Sequence, residues 1–233
     1  MFQNTFLQMI LYTSRSMYMH AELIAKAISG IRSPYTNLDD FMVDSMIHSK
    51  SVAKDVLNYL NLRDIGSISR GLITFSRSDR LKTAIIAMKI GSDIERISNA
   101  LTWRDFEAFT LEMLHIFGYK AEMNVRFTQP RCEIDVIGID SKHALVIDCK
   151  HWKRSNISLI STYAKKQITR TELLLKRRTK SISFAIPAVL TLHSEKVHFI
   201  NGVPVIPINM FASFLHDFHC NYQEIHLIYA KKK

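Results

Sequence analysis

The spacing of apolar residues along the chain changes near Ser98 to Thr102. Ahead of that stretch, Ala21 to Ser29, Leu38 to His48 and Val52 to Leu62 place apolar residues three and four apart, which predicts short amphipathic helices. DIGSISRGLITFS then alternates like two short strands around Arg70-Gly71, and SDRLKTAIIAMKIG resumes helical spacing behind a serine N-cap. Beyond the change, TWRDFEAFTLEMLHIFGYK predicts a helix capped by Thr102, striped by Phe106, Phe109, Met113, Leu114 and Phe117, and stopped by Gly118. Strand patterns follow at Lys120 to Phe127, Cys132 to Ile139 and Ala144 to Lys150, then a basic helix from Ser158 to Arg178. Further strands are expected at Ser183 to Leu192 and Val197 to Ile200, the second ending in an Asn201-Gly202 turn. Pro204 and Pro207 lack the donor that an interior ladder uses, so the run after the turn is expected at a sheet edge. A helix at Asn209 to Phe218 and a strand at Glu224 to Tyr229 complete the pattern.

These elements divide the chain into residues 1–98, mostly helical, and residues 99–233, an α/β or α+β unit of about 130 residues, a normal domain size. In the first, three helices followed by a small hairpin have the order of a winged helix. A helical bundle that packs only against its neighbour gives the same order of signals.

The run RCEIDVIGIDSKHALVIDCKHWK, Arg131 to Lys153, sets four ionisable residues, Glu133, Asp135, Asp148 and Lys150, among residues that otherwise read as buried strand. A hairpin closed by Ser141-Lys142, or by Asp140 to His143, puts Asp135 opposite Asp148, Glu133 opposite Lys150 and Ile137 opposite Val146 on one face. Cys132, Ile134, Val136, Leu145, Ile147 and Cys149 take the other face, which is wholly apolar. Carboxylates directly across a ladder repel each other, so positive charge is expected between them. Lys150 supplies one charge and a divalent cation the rest. Hard oxygen ligands without histidine or cysteine favour magnesium or manganese over zinc. Glu133 is expected to pair with Lys150 across the strands.

The chain is strongly basic. Lys and Arg number 31 against 21 Asp and Glu, a formal net charge of +10, with a sequence pI near 9.6. From Lys150 to Lys180 there are ten basic residues and one acid, Glu172. That concentration points to a polyanion, nucleic acid or an anionic membrane surface, and the bland reading is a solvated basic helix face. A hydrophobic content of 47% is that of a globular protein and excludes disorder over most of the chain. Cys132, Cys149 and Cys220 show no C-x-x-C spacing and leave one unpaired in any disulfide scheme, which fits a reducing compartment. No apolar run approaches the ~18 residues of a membrane span, and the N-terminus lacks a signal-peptide pattern. A soluble, cytoplasmic protein is expected, with Met17 or Met19 as its functional start.

The helix WRDFEAF, the strand acid in EIDVIG and the DCK ending the next strand resemble the PD-(D/E)xK nuclease superfamily, in particular Mrr-like restriction endonucleases and archaeal Holliday junction resolvase relatives. The resemblance runs from Leu101 to about Phe218. It implies a restriction-endonuclease-like core, a central mixed sheet flanked by helices, and a DNA endonuclease dependent on Mg2+ or Mn2+. It implies that Glu107, Asp135 and Asp148 bind the metal and that Lys150 orients or activates the attacking water. Some relatives also use a glutamine on the following helix, for which Gln167 in AKKQITR is the candidate. Two departures stand out: no proline immediately precedes Asp135, and Asp148 replaces the commoner glutamate.

Lys153, Arg154, Lys165, Lys166, Arg170, Lys176 and Arg177 are the expected DNA-binding set, joined by Lys50, Lys54, Arg70, Arg77 and Arg80 if the N-terminal half is a winged helix. Trp152 is placed to stack on a base or to cap the sheet edge. Three positions carry competing explanations. Glu107 falls in the first turns of its helix, where the dipole favours a carboxylate. Gln167 on a helix surface needs no function, and His216, His219 and Cys220 lack a fourth ligand and read as structural. DNA is the expected partner, a membrane is not, and a homodimer is one assembly open to the chain. The alternative function is a catalytically inactive DNA-binding protein that retains the nuclease fold; a purely structural interaction module is disfavoured by the concentration of charge.

Overall fold

A computed structural model of the chain describes residues 19–69, 71–141, 143–151, 156–178, 182–193, 198–217 and 223–230. The expectations for Met17, Arg70, Trp152, Lys153, Arg154, His219 and Cys220 lie outside the described residues. The chain divides into two compact units, Met1–Leu101 and Thr102–Lys233.

In the first unit, α1 (Ala21–Gly30), α2 (Leu38–Ser45), α3 (Lys50–Asn61), α4 (Asp79–Lys89) and α5 (Ile94–Asn99) bury Ile24, Ile28, Phe41, Val56, Leu60 and Ile97 completely. Strands β1 (Tyr35–Asn37), β2 (Ser67–Ser69) and β3 (Leu72–Thr74) form an antiparallel sheet of order β1-β3-β2. Asn37, Ser49 and Asp93 cap α2, α3 and α5 by accepting the N–H groups of Asp40, Val52 and Arg96. Helix α2 stops at Ser45, short of the expected His48, because Met46 turns left-handed with φ 53° and its N–H closes on the last carbonyls. The expected Ser78 cap is not made. Asp79 instead reaches back, accepting the Ser76 N–H at 2.8 Å and the Gly66 N–H at 3.2 Å. Helix α5 and strand β1 are additions to the sequence reading, since each is too short to display a period.

The second unit opens with α6 (Trp103–Ile116), where Thr102 and Asp105 form a reciprocal capping box. Then come β4 (Lys120–Thr128), β5 (Arg131–Asp140), β6 (His143–Lys150), α7 (Ile157–Arg177), β7 (Phe184–Thr191), β8 (Phe199–Ile200), β9 (Val203–Pro207), α8 (Ile208–Asp217) and β10 (Ile228–Tyr229). The strands form one seven-stranded sheet of order β4-β5-β6-β7-β9-β8, with β10 beside β7. Strands β4, β5 and β6 run antiparallel, while β6–β7 and β7–β9 are parallel, so the sheet is mixed. Successive residues of β5 show how helices cover both faces. Ile137 packs with Val146 and with Leu174 and Leu175 of α7. Gly138 turns the other way, and a Cβ there would lie 2.9 Å from Leu114 of α6, so its hydrogen lets that helix settle on the sheet. Each fully buried Leu or Ile contributes about 1.5–3 kcal/mol, which fixes both helices against the strands.

The structure corrects the sheet edge. Strand β9 is interior, buried along its length and bonded to β7 on one side and β8 on the other. Both prolines fall where no donor is used. The Val205 N–H points to β8, donating to His198 O, so Pro204 faces β7 ahead of that ladder's first pair, Val189 with Val205. Pro207 has the parity of Val205 and lies past the two-residue β8. Among the described residues, no helix is long and apolar enough to cross a membrane.

Candidate functional site

The β5–β6 hairpin closes between Asp140 and His143 and takes the register in which Ile137 faces Val146. Its ladder ends at Val136 with Ile147, one residue before Asp135. Beyond that point the Asp135 carboxylate itself accepts the Cys149 N–H, at 2.8 Å. The β4–β5 ladder is interrupted at the same place: Met123 pairs with Val136 and Val125 with Ile134, while Asn124, opposite Asp135, turns left-handed with φ 55°. This break changes the alternation. Ile134 joins Ile137 and Val146 in the cluster beneath α7, instead of sharing a face with Val136 as strict alternation requires.

Helix α6 brings the third carboxylate. Its buried stripe includes Phe106, Glu107, Phe109 and Thr110. Thr110 accepts a weak bond from the Cys149 thiol at 3.7 Å, and Phe106 meets His151 edge-on at 5.5 Å between ring centroids. These contacts fix α6 over the end of β6. Glu107 is only 7% exposed, and burial together with Asp135 and Glu133 pushes its carboxyl up to about 7, against the pull of Lys150. A helix dipole acts in the opposite direction. The carboxylate that serves the helix start is Asp105.

Asp148 is wholly buried in an interior strand, paired on its β7 side with Val189. Two cations neutralise it. Lys150 Nζ stands 2.8 Å from Oδ2, and Arg170 of α7 donates to Oδ1 at 2.7 Å. Oδ2 is buried against the lysine ammonium, while Oδ1 takes the arginine. Lys150 Nζ also lies 4.4 Å from the centre of the Tyr163 ring, so it is held between a carboxylate and an aromatic face. Asp135 keeps less compensation. Burial, then Asp148, raise its carboxyl to about 6, while Lys150, the Cys149 N–H and Arg170 pull it down.

Gln167 is fully buried, so the reading of a surface glutamine is corrected. Its Nε2 donates to Val146 O at 2.8 Å, and its Oε1 accepts from Arg170 at 3.4 Å. Arg170, expected among the phosphate-binding residues, turns inward to Asp148. Glu133 pairs with Arg126 at 3.2 Å and leaves Lys150 to Asp148, because Arg126 is its direct neighbour on β4 while the β5–β6 ladder has already ended. Lys165, Lys166 and Lys176 lie exposed along α7. Arg177 is exposed and donates to Gln129 O at 2.6 Å. In the first unit Lys50, Lys54 and Arg77 are exposed, whereas Arg80 donates to Ile31 O at 2.7 Å. His216 hydrogen-bonds Asp217 at 2.6 Å.

Among the described residues, no group of three or more His, Cys, Asp or Glu side chains is disposed to hold one metal ion. The donors are of the type a hard cation takes. Magnesium uses one or two carboxylates and fills its remaining positions with water. Glu107 and Asp135 are hard oxygen donors in surplus negative charge, and Asp148 Oδ2 is a buried oxygen already facing the Lys150 ammonium. Tyr163, Arg126 and the Cys149 N–H are the contributors that sequence reasoning missed. Only Tyr163 had a legible signal, four residues ahead of Gln167 on the same helix face.

Comparison with known proteins gives little. No family model and no curated protein matches the chain. Among solved structures, the chain is similar to protein VC1899 from Vibrio cholerae at 14% identity and a TM-score of 0.43, over 88% of this chain and 50% of that one. The chain thus spans about half the length of that protein.

Proposed function

We propose that the second unit is a metal-dependent DNA endonuclease with a restriction-endonuclease-like core, hydrolysing phosphodiester bonds in the manner of Mrr-like or junction nucleases. The observation that carries this reading is the convergence of Glu107, Asp135, Asp148 and Lys150 at the broken end of the β5–β6 ladder, with two of the carboxyls raised toward neutrality by burial and mutual repulsion. Such an arrangement destabilises a protein that has no use for it. Asp135, with Glu107 or Asp148 as a second carboxylate, would hold Mg2+ or Mn2+, and water would fill the remaining positions. The chemistry a bound cation supplies is polarisation of a phosphoryl oxygen. Lys150, braced by Asp148 and Tyr163, presents an ammonium that can orient a water or meet the negative charge that develops on the phosphate. Lys165, Lys166 and Lys176, exposed on the adjoining helix, would neutralise phosphates on either side of the scissile bond.

For the first unit we infer a winged helix that binds DNA. The order helix, strand, helix, helix, strand, strand, with a three-stranded antiparallel sheet, supports that assignment. Lys50, Lys54 and Arg77 are its available phosphate contacts, and Arg80 is not, since its guanidinium is committed to Ile31 O.

A second reading has its own observation. Asp148 already carries two internal cations, which is how a chain that binds DNA without turnover would neutralise a vestigial site. Incubating the protein with labelled duplex, single-stranded and four-way-junction DNA, with magnesium and with chelator, separates the two. Magnesium-dependent cleavage lost in Asp135→Ala supports the endonuclease. Binding with no cleavage of any substrate supports the inactive protein.

A further inference from the structure

Among the described residues, Arg170 is the member of the expected phosphate-binding set that points into the site. Half-buried, it borders the buried stripe of α7 beside Gln167 and Thr171, both fully buried, and its guanidinium reaches Asp148 Oδ1 at 2.7 Å and Gln167 Oε1 at 3.4 Å. Gln167 is fixed in turn by its bond to Val146 O, so the arginine is braced from the sheet side. Asp148 is wholly buried, and the arginine side chain retains only 23% of its exposure. A guanidinium so placed cannot also track a DNA backbone outside the helix. Its charge serves the carboxylates.

We propose that Arg170 is the internal counter-ion of the carboxylate site, occupying Asp148 where a divalent cation would otherwise share it, so that it sets the affinity of the site for that cation. This rests on the endonuclease reading above. Asp135, held by the Cys149 N–H, and the adjoining Asp148 crowd negative charge here with Glu107 nearby, and Lys150 and Arg170 are the positive charges on Asp148. A divalent ion entering beside two cations is repelled by both, and at separations of a few ångströms in a partly desolvated site that repulsion is worth a tenfold change or more in binding. Lys150 is needed for the chemistry proposed above. Arg170 is the cation whose removal changes the charge balance without removing a proposed ligand or the proposed water-orienting group.

The test is direct manganese binding, by the loss of the free-ion electron paramagnetic resonance signal, and thermal melting with and without magnesium. It uses the full chain as wild type, Arg170→Gln, Arg170→Lys and Arg178→Gln. Arg178 is the control, a guanidinium of the same unit paired with Glu122 at 2.8 Å. Arg170→Gln is expected to bind manganese about tenfold more tightly than wild type and to melt lower in chelator. Magnesium should then raise its melting temperature by more than it raises that of wild type. Arg170→Lys, which keeps the charge, and Arg178→Gln should bind as wild type does. A purely structural arginine would lower the melting temperature equally with and without magnesium and leave the manganese affinity alone, and that result overturns the proposal. So does unchanged manganese binding with weakened DNA affinity, which returns Arg170 to the phosphate grip. If wild type and all variants, shown to be folded by circular dichroism, bind no manganese at millimolar concentration, the endonuclease reading itself fails.

Discussion

Replacing Asp135 with asparagine removes a charge that destabilises the metal-free protein. Burial and Asp148 raise this carboxyl to about 6, against ~3.9 for an ordinary aspartate. A rise of about two pH units, at about 1.4 kcal/mol each, means that ionising Asp135 costs the folded unit about 3 kcal/mol at neutral pH. The direction follows from proton binding. Between about pH 4 and pH 6 the folded protein holds a proton that the unfolded chain has released, so stability falls as pH rises through that window, and the full cost is present above it. Asparagine keeps an oxygen to accept the Cys149 N–H, but its amide needs a partner, which offsets about 1 kcal/mol. The net gain of about 2 kcal/mol corresponds to a melting temperature higher by about 4–8 °C in chelator at pH 7.5. Glu107 moves the result the same way, since Asp135 is part of what raises its carboxyl. Melting followed by circular dichroism from pH 4 to pH 8 reads both effects. At pH 4 the gain should vanish, because the wild-type carboxyl is then already protonated. A variant that melts lower at pH 7.5 in chelator, or a difference that is the same at pH 4 and pH 7.5, refutes the reasoning.

Asp148→Ala should destabilise the protein by about 3–5 kcal/mol in a urea titration, because it strands the Lys150 and Arg170 charges in a buried setting. Asp148→Asn should cost less, and a neutral alanine variant would mean that the pair contributes nothing. Gln167→Ala should lose about 1–3 kcal/mol through the abandoned Val146 carbonyl, and a change within about 0.5 kcal/mol would contradict its structural role. Lys165→Glu and Lys166→Glu should leave stability unchanged within about 0.5 kcal/mol and flatten the dependence of log affinity on log salt by about 0.9 for each phosphate that is no longer neutralised; unaltered slopes on one duplex would remove these lysines from the interface.

Period and charge together made the strands and the ionisable residues set into them readable. Asp135, Asp148 and Lys150 stand out because each interrupts an apolar strand, and the short turn after Asp140 leaves one register. What sequence could not supply was which neighbour each charge would choose. Glu133 had a basic residue across each of two ladders, and the choice of Arg126 over Lys150 depends on where the β5–β6 ladder ends. At the same point the left-handed Asn124 interrupts the β4–β5 ladder. Arg170 was read with the basic run, whereas its spacing from Gln167 and Leu174 puts it at the border of the buried stripe, within reach of Asp148. The prolines of β9 misled for a related reason: a missing donor forbids an interior strand only where a ladder asks for that donor.

The central claim is that Glu107, Asp135, Asp148 and Lys150 form a working metal-dependent site. The most direct measurement is cleavage of labelled DNA in magnesium or manganese against chelator, for wild type and for Asp135→Ala and Lys150→Ala, with DNA binding measured in parallel. The account predicts cleavage by wild type only when metal is present, none by either variant, and binding close to wild type in both. Cleavage that persists in excess chelator, or variants that cleave as well as wild type, would contradict it.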